Sequence, residues 1–273
     1  MRSQGFTLFE LVLVLVLLSI VGLGTSQLLS NMASLYVEQS SREQLLGQSR
    51  FVLERLSREI RAAVPNSLRH RLGNEYECLE LVRYQGSGRY RELPLAPDSA
   101  SQLRLLSLDP QLQFSGGQWL LVQPESAADI YQPSSQKVQL AAVPLLDDGD
   151  NQAATSTVAL AQAHSFGRAS VARRFYLLQD VVSFCIEDQQ LRRYQGYGLQ
   201  AVQPVPGAGL TLAQSQLLAE DIRNPLPTEP VFHLVSAGFH SNSFVRILLQ
   251  LHAPNEPDAL LIFNHLVQVD NVP

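Results

Sequence analysis

Cysteine is scarce, lysine scarcer still, and proline does not occur before residue 65; each shortage removes a class of protein. Two cysteines in 273 residues cannot staple a small secreted scaffold, and a chain this long does not need stapling, because burial is already efficient well below this size. Lys137 is the one lysine, arginine supplies the other positive charges, and the formal net charge is -5. No global basic field therefore draws the chain to nucleic acid, which is an unfavoured partner. The histidines are scattered, without zinc-ligand spacing to cysteine and without a His-Glu-x-x-His pattern, so no metal site is assigned. Asp147-Asp148-Gly149-Asp150-Asn151 offers oxygen ligands, but it lacks the spacing to a terminal glutamate that an EF-hand needs and reads as a solvated acidic turn. Ser236-Ala237-Gly238, with Ser241 near His240, is not a Gly-x-Ser-x-Gly elbow. The chain reads as non-enzymatic, with no catalytic residue and no cofactor.

What the sequence does have is a long apolar run at its start. Leu11 to Leu18 continues through Ile20 and Val21 to Gly24, with only Glu10 and Ser19 interrupting. As a helix, residues 6–24 extend about 28 Å at ~1.5 Å per residue, close to the ~30 Å thickness of bilayer hydrocarbon. Leu11, Val14, Leu18, Val21, Gly22 and Gly24 would then lie in a membrane helix. A secretory signal peptide is the competing reading, with Gly24-Thr25-Ser26 as its cleavage site. Glu10 argues against it, because a carboxylate deep in lipid costs about 2 to 3 kcal/mol and needs a reason to be there. Arg2 precedes the span and no other basic residue appears until Arg42, which keeps the N-terminus cytoplasmic by the positive-inside rule.

The stretch Gly5-Phe6-Thr7-Leu8-Phe9-Glu10, followed by the aliphatic run, resembles the class III signal of type IV prepilins and type II secretion pseudopilins. The resemblance implies a five-residue leader, cut between Gly5 and Phe6 by a prepilin peptidase, and methylation of the new Phe6 amine. It also implies a single-pass inner-membrane protein with a periplasmic domain, other major and minor pilins as partners, and a pilus assembly platform. Glycine before the cut lets a protease approach an extended backbone closely. Cleavage leaves a cationic amine one helical turn from Glu10. In the family, that carboxylate pairs with the amine of a neighbouring subunit. An unpaired charge in an apolar filament core would cost several kcal/mol, so the pair sets register as well as attraction. Snorkelling of Glu10 to the interface is the alternative. An oxidising periplasm favours a disulfide between Cys78 and Cys185, whose number alone permits either one bridge or two free thiols.

Beyond the span, Leu28, Met32 and Leu35, then Leu46, Leu53, Leu56, Ile60 and Ala63, recur at helical spacing. Leu46, Leu53, Leu56 and Ile60 are expected to pack this second helical segment, residues 25–64, on the domain that follows. Glu38 with Arg42 and Glu54 with Arg58 support a solvated opposite face. Pro65 disfavours the α region at Val64 and ends the helix. Many major pilins carry a proline in the membrane half; Gly22, Gly24 and Gln27 stand there instead, and glycines loosen a helix by about 1 kcal/mol each.

Residues 65–273 read as short strands: 76–84, 102–108, 118–123, 137–143, 173–178, 181–186, 231–235, 244–252 and 259–269. Gly86-Ser87-Gly88 reads as a hairpin turn, 147–162 and 203–216 as loops or linkers, 210–222 as a short helix, and a division near residue 150 is open. The fold class is α+β, a pilin-like helix packed on an antiparallel β-rich domain. The basic doublets Arg69/Arg71 around His70, Arg173-Arg174 and Arg192-Arg193, with Tyr194 and Tyr197, could bind phosphate if they converged; strand alternation would split them. The segment 50–68 and the ending His265-Leu-Val-Gln-Val-Asp-Asn-Val-Pro273 resemble the minor-pilin subgroup of mannose-sensitive haemagglutinin (MSHA) pilus biogenesis that contains MshO. That resemblance implies a minor pilin that initiates assembly or sits at the tip; a tip adhesin and a type II secretion minor pseudopilin are the alternatives. The mature chain from its host is expected to begin at an N-methylated Phe6. N-terminal peptide mass spectrometry checks this, and any other start contradicts it.

Overall fold

The computed structural model describes residues 8–107, 109, 112–141, 155–235, 243–253 and 256–269. Gly5, Phe6, the acidic turn 147–151, Ser236 to Gly238, His240, Ser241 and the last four residues lie outside them.

Helix α1 runs unbroken from Leu8 to Arg61, about 80 Å at ~1.5 Å per residue. No proline interrupts it, and Gly22 and Gly24 are taken up as regular helix. It stops three residues before Val64, where the backbone turns to form a bridge between Ala63 and Arg83. Only the C-terminal third packs on the domain. Leu45, Val52, Leu56, Ile60 and the following Ala63 are buried against Leu79, Leu81, Phe184 and the C-terminal strands. Leu46 and Leu53 are half-buried on the flank of that stripe. The buried face is therefore rotated from the anticipated one, because its ridge passes through Ser49 and Glu59, both buried. Ser49 donates its hydroxyl back to the Leu46 carbonyl at 2.9 Å, which lets it sit there.

Fourteen strands follow among the described residues. The main sheet has nine: β1 (Arg69–Leu72), β2 (Tyr76–Tyr90), β3 (Ala100–Leu106), β4 (Trp119–Val122), β5 (Lys137–Gln139), β6 (Thr155–His164), β7 (Arg174–Glu187), β8 (Gln190–Gln195) and β11 (Ser215–Ala219). Its spine is β11-β8-β7-β2-β3-β6, antiparallel throughout. A short helix α2 (Ala127–Tyr131) separates β4 from β5, and β9 (Val205–Pro206) pairs with β10 (Gly209–Leu210). Strands β12 (Phe232–Val235), β13 (Phe244–Ala253) and β14 (Glu256–Gln268) form a second antiparallel sheet against α1.

Several expected elements are different. Gly86-Ser87-Gly88 is not a turn but the middle of β2, where two register shifts bend the strand. Glycine is needed there because a Cβ at Gly88 would run into the Leu106 carbonyl and the Phe175 ring, and one at Gly86 into Leu112. Residues 155–162 of the expected linker are most of β6, which pairs with β3 in the main sheet. The expected helix at 210–222 is a single 3-10 turn, Leu212–Gln214, leading into β11. The two strands 173–178 and 181–186 are one strand, β7, with Gln179 and Asp180 exposed at its middle.

Cys78 and Cys185 lie directly opposite each other on β2 and β7, with Cα atoms 4.1 Å apart, and are joined by a disulfide. At the helix–sheet seam, Arg193 of β8 is 2% exposed and forks onto the Glu59 carboxylate of α1 at 2.8 and 3.0 Å. Arg55 donates to the same carboxylate at 2.6 Å. A second buried carboxylate, Glu77 of β2, accepts from the Val231 and Phe232 amides at 2.6 and 2.7 Å and so ties the second sheet to the first. Arg193→Ala leaves Glu59 buried without its main partner and is expected to destabilise the folded chain by about 3 to 5 kcal/mol. Glu59→Leu with Arg193→Met should restore most of that loss; chemical denaturation of the native chain and the two variants checks both statements.

Candidate functional site

From Leu11 to Val37 the helix carries no charged residue, and none of its large apolar side chains is covered. The consecutive residues Leu15, Val16, Leu17 and Leu18, which point about 100° apart around the cylinder, are all more than half exposed. A helix apolar all round is stable only inside something else: lipid, or a bundle of other helices. It is the one described helix long and apolar enough to cross a membrane, with a mean hydropathy of 2.5 over its best window. Two of its hydroxyls, those of Ser19 and Thr25, are satisfied within the helix. Ser19 donates to the Leu15 carbonyl at 2.7 Å, and Thr25 to the Val21 and Gly22 carbonyls at 2.9 and 3.0 Å. Neither hydroxyl then requires water, which is the condition for placing it in hydrocarbon.

Glu10 lies in the first described turn of α1. Val14, Leu18 and Val21 follow at three- and four-residue steps, which puts them on its side of the helix. A Cβ at Gly22 or Gly24 would meet nothing within 4 Å, so nothing within the chain requires glycine there. The uncharged stretch is about 40 Å long at ~1.5 Å per residue, some 10 Å more than hydrocarbon covers when the helix stands upright. Leu28, Leu29, Met32, Leu35 and Tyr36 are the surplus.

The basic doublets do not converge. Arg69 pairs with Glu80, donates to the Gln200 and Ala201 carbonyls, and lies 3.7 Å over the Tyr131 ring. Arg71 donates to the Gln203 carbonyl at 2.6 Å, Arg192 to Gln190 and Ser215, and Arg193 to Glu59. These arginines hold loops and the helix. Tyr194 is buried, and Tyr197 gives its hydroxyl to Glu80 at 2.9 Å, so neither offers a ring for stacking. Burial raises the Glu80 carboxyl above its ordinary value, with Arg69 and the Tyr197 hydroxyl pulling the other way. Burial likewise pushes the Tyr197 and Tyr131 hydroxyls up, and the nearby Glu80 adds to both. Glu59 and Arg193 carried no signal as a pair in the sequence; Glu59 alone was detectable as a polar residue in step with Leu45, Val52 and Leu56. Among the described residues no group of three or more His, Cys, Asp or Glu side chains could hold a metal ion.

Residues 1–26 match the prokaryotic N-terminal methylation motif. No curated protein and no solved structure matches the chain. The motif is type IV prepilin-like and supports a type IV pilin-like or pseudopilin protein, which implies processing by a prepilin peptidase and interaction with other pilins. The long apolar helix and the motif together fit a membrane-anchored pilin. A charge placed at Val14 should cost about 2.5 to 3.5 kcal/mol at the centre of a span. Val14→Arg is accordingly expected to move a measurable share of the chain out of the carbonate-resistant membrane fraction, whereas Phe51→Arg, on the exposed side of the packed third, should not.

Proposed function

We propose that this chain is a minor type IV pilin that takes part in pilus assembly in the initiating or tip complex. It enters the inner membrane with its N-terminus cytoplasmic and its β-rich domain periplasmic. After cleavage at Gly5/Phe6 and methylation of Phe6, the assembly platform transfers the helix from lipid into the filament. The observation that carries this reading is the uncharged helix from Leu11 to Val37, uncovered by the rest of the chain and longer than the hydrocarbon it would cross. An anchor needs only the first part. The surplus from Leu28 to Val37 favours a second environment, made of the helices of major and minor pilins, in which the whole stretch is buried at once.

Glu10 has a defined part in that transfer. In the filament its carboxylate meets the Phe6 amine of a neighbour, and a subunit out of register leaves one charge alone in an apolar core. The position near the tip follows from bulk: a two-sheet head is most easily placed where no subunit stacks above it. The resemblance of residues 50–68 and 265–273 to the subgroup containing MshO supports an MSHA-type pilus.

Glu10→Ala is expected to be cleaved like the native chain but to enter filaments at least about tenfold less, equivalent to the loss of some 1.4 kcal/mol or more of docking free energy. Immunoblots of sheared pili against membrane fractions measure this, and normal incorporation would remove the role. Deleting the gene separates the assignments: loss of all pili supports initiation, loss of attachment with normal pili indicates a tip adhesin, and loss of secretion with normal pili indicates a type II pseudopilin.

A further inference from the structure

The far half of the main sheet closes on itself. Strands β2, β3, β6, β5, β4 and β7 adjoin in that order, and β7 pairs back with β2. The join between β5 and β6 is a bridge from Leu140 to Leu160, with the Ala141 amide donating to the Ala159 carbonyl at 2.8 Å. Leu120, Val138, Leu140 and Leu160 fill the inside of this ring. Residues one step along a strand point the other way, so Trp119, Lys137 and Gln139 stand on the outer face, with Trp119 directly across from Gln139. The bridge sets Ala161 of β6 beside Gln139, and its small side chain leaves space next to the indole. A cavity of about 290 Å³ opens there, lined by Trp119, Lys137, Gln139, Ala161, Gln162 and His164.

Trp119 is the one tryptophan of the chain and Lys137 its one lysine. The indole is half-buried, whereas Lys137 is only 7% exposed. Burying an ammonium group is costly unless hydrogen bonds and a counter-charge replace its water. Here the amine donates to the Ile130 carbonyl at the end of α2 and lies 5.0 Å from the centre of the Trp119 ring. That uses one of three N–H donors. Among the described residues no carboxylate pairs with it, and burial pushes its pKa down. Capping the last turn of a helix does not call for burial, since an exposed lysine does it equally well. Around the amine stand groups with hydrogen-bonding capacity to spare. The Gln139 and Gln162 side chains make no hydrogen bond among the described residues. The His164 ring packs edge-on to Phe166, with centres 4.6 Å apart, and donates from Nε2 to the Ser135 carbonyl at 2.9 Å, because a carbonyl can only accept. In the neutral imidazole Nδ1 is then left as an acceptor.

We propose that this cavity binds a hexuronic acid unit of a glycan. The sugar carboxylate accepts from the two remaining donors of Lys137, the ring hydroxyls meet Gln139, Gln162 and His164, and the apolar C–H side of the ring lies against Trp119. A carboxylate supplies the counter-charge that the buried amine lacks. An amide offers both donors and an acceptor, which suits hydroxyls that both give and take a proton. The volume is at the small end of ligand pockets and suits one sugar ring rather than a longer segment. A nucleic-acid backbone is disfavoured, because one buried cation cannot follow a row of phosphates and the chain as a whole is acidic. The cavity uses no residue of α1, so the inference stands apart from the assembly role: Glu10→Ala tests that role and leaves the cavity intact.

With a single tryptophan in the chain, Trp119 fluorescence reports on this cavity alone. The test titrates the full chain, in a non-ionic detergent without a sugar headgroup, with methyl glucuronide, methyl glucoside and acetate, following Trp119 emission and heat in parallel. Methyl glucuronide should change the emission saturably. Methyl glucoside, which carries CH2OH in place of the carboxylate, and acetate, which lacks the ring, should each bind about tenfold or more weakly. Lys137→Met keeps the apolar stem and removes the charge, and should abolish the preference between the two glycosides. Gln139→Ala should weaken both by about threefold or more. The proposal is overturned if the glucuronide gives no change up to its solubility, if it gives heat without a change in Trp119 emission, if the glucoside or acetate binds as tightly, or if Lys137→Met retains the preference. The three probes are compared on the native chain, so the outcome is decided even where Lys137→Met fails to fold.

Discussion

The carboxylate of Glu59, enclosed between Arg193 and Arg55, is the contact on which the rest of the architecture depends. More than half of α1 has nothing of its own chain to lean on, so its direction is set entirely by the C-terminal third. Apolar packing through Leu45, Val52, Leu56 and Ile60 supplies attraction there, but it is weakly directional and would tolerate a helix turned or slid by a residue. A two-pronged guanidinium–carboxylate pair tolerates neither, because a slide of one residue leaves both charges buried and alone. The pair fixes the rotation of the helix, and with it which side of the protruding half lies above which face of the head.

Glu77 does for the two sheets what Glu59 does for helix and sheet. Its two oxygens take the adjacent amides of Val231 and Phe232, at the entrance to β12, so the C-terminal sheet is hung from the first half of β2. His70 completes the shell at 2.9 Å. The head is thus joined at its seams by buried charge and filled between them by aliphatic side chains. This division lets an apolar helix protrude from a domain whose own cores are closed.

What was legible in the sequence was local. A run without proline, an uncharged stretch from Leu11 to Val37 and Pro65 after it are enough to give the helix, its membrane-length part and its end within three residues, because helix formation is decided within a few turns. The β content was legible for the same reason. What was not legible depends on residues distant in the chain. Gly86 and Gly88 look like a turn until Leu112, Leu106 and Phe175 are brought against them. The Ala- and Gln-rich run 155–162 looks like a linker until β3 lies beside it. Arg193 and Glu59 are 134 positions apart, so neither could announce the other.

The bridge between Cys78 and Cys185 closes a loop whose ends are 107 positions apart, and that loop contains the whole distal half of the main sheet. Tension applied between the helix and the C-terminal strands passes through the sulfur atoms and leaves everything from residue 79 to residue 184 slack. Tension applied between the helix and the far end of the β2–β7 pair is instead divided between β2 and β7 from the bridge outward, two parallel load paths in place of one. A chain wired in this way can be pulled by its helix without the far end of the sheet unravelling.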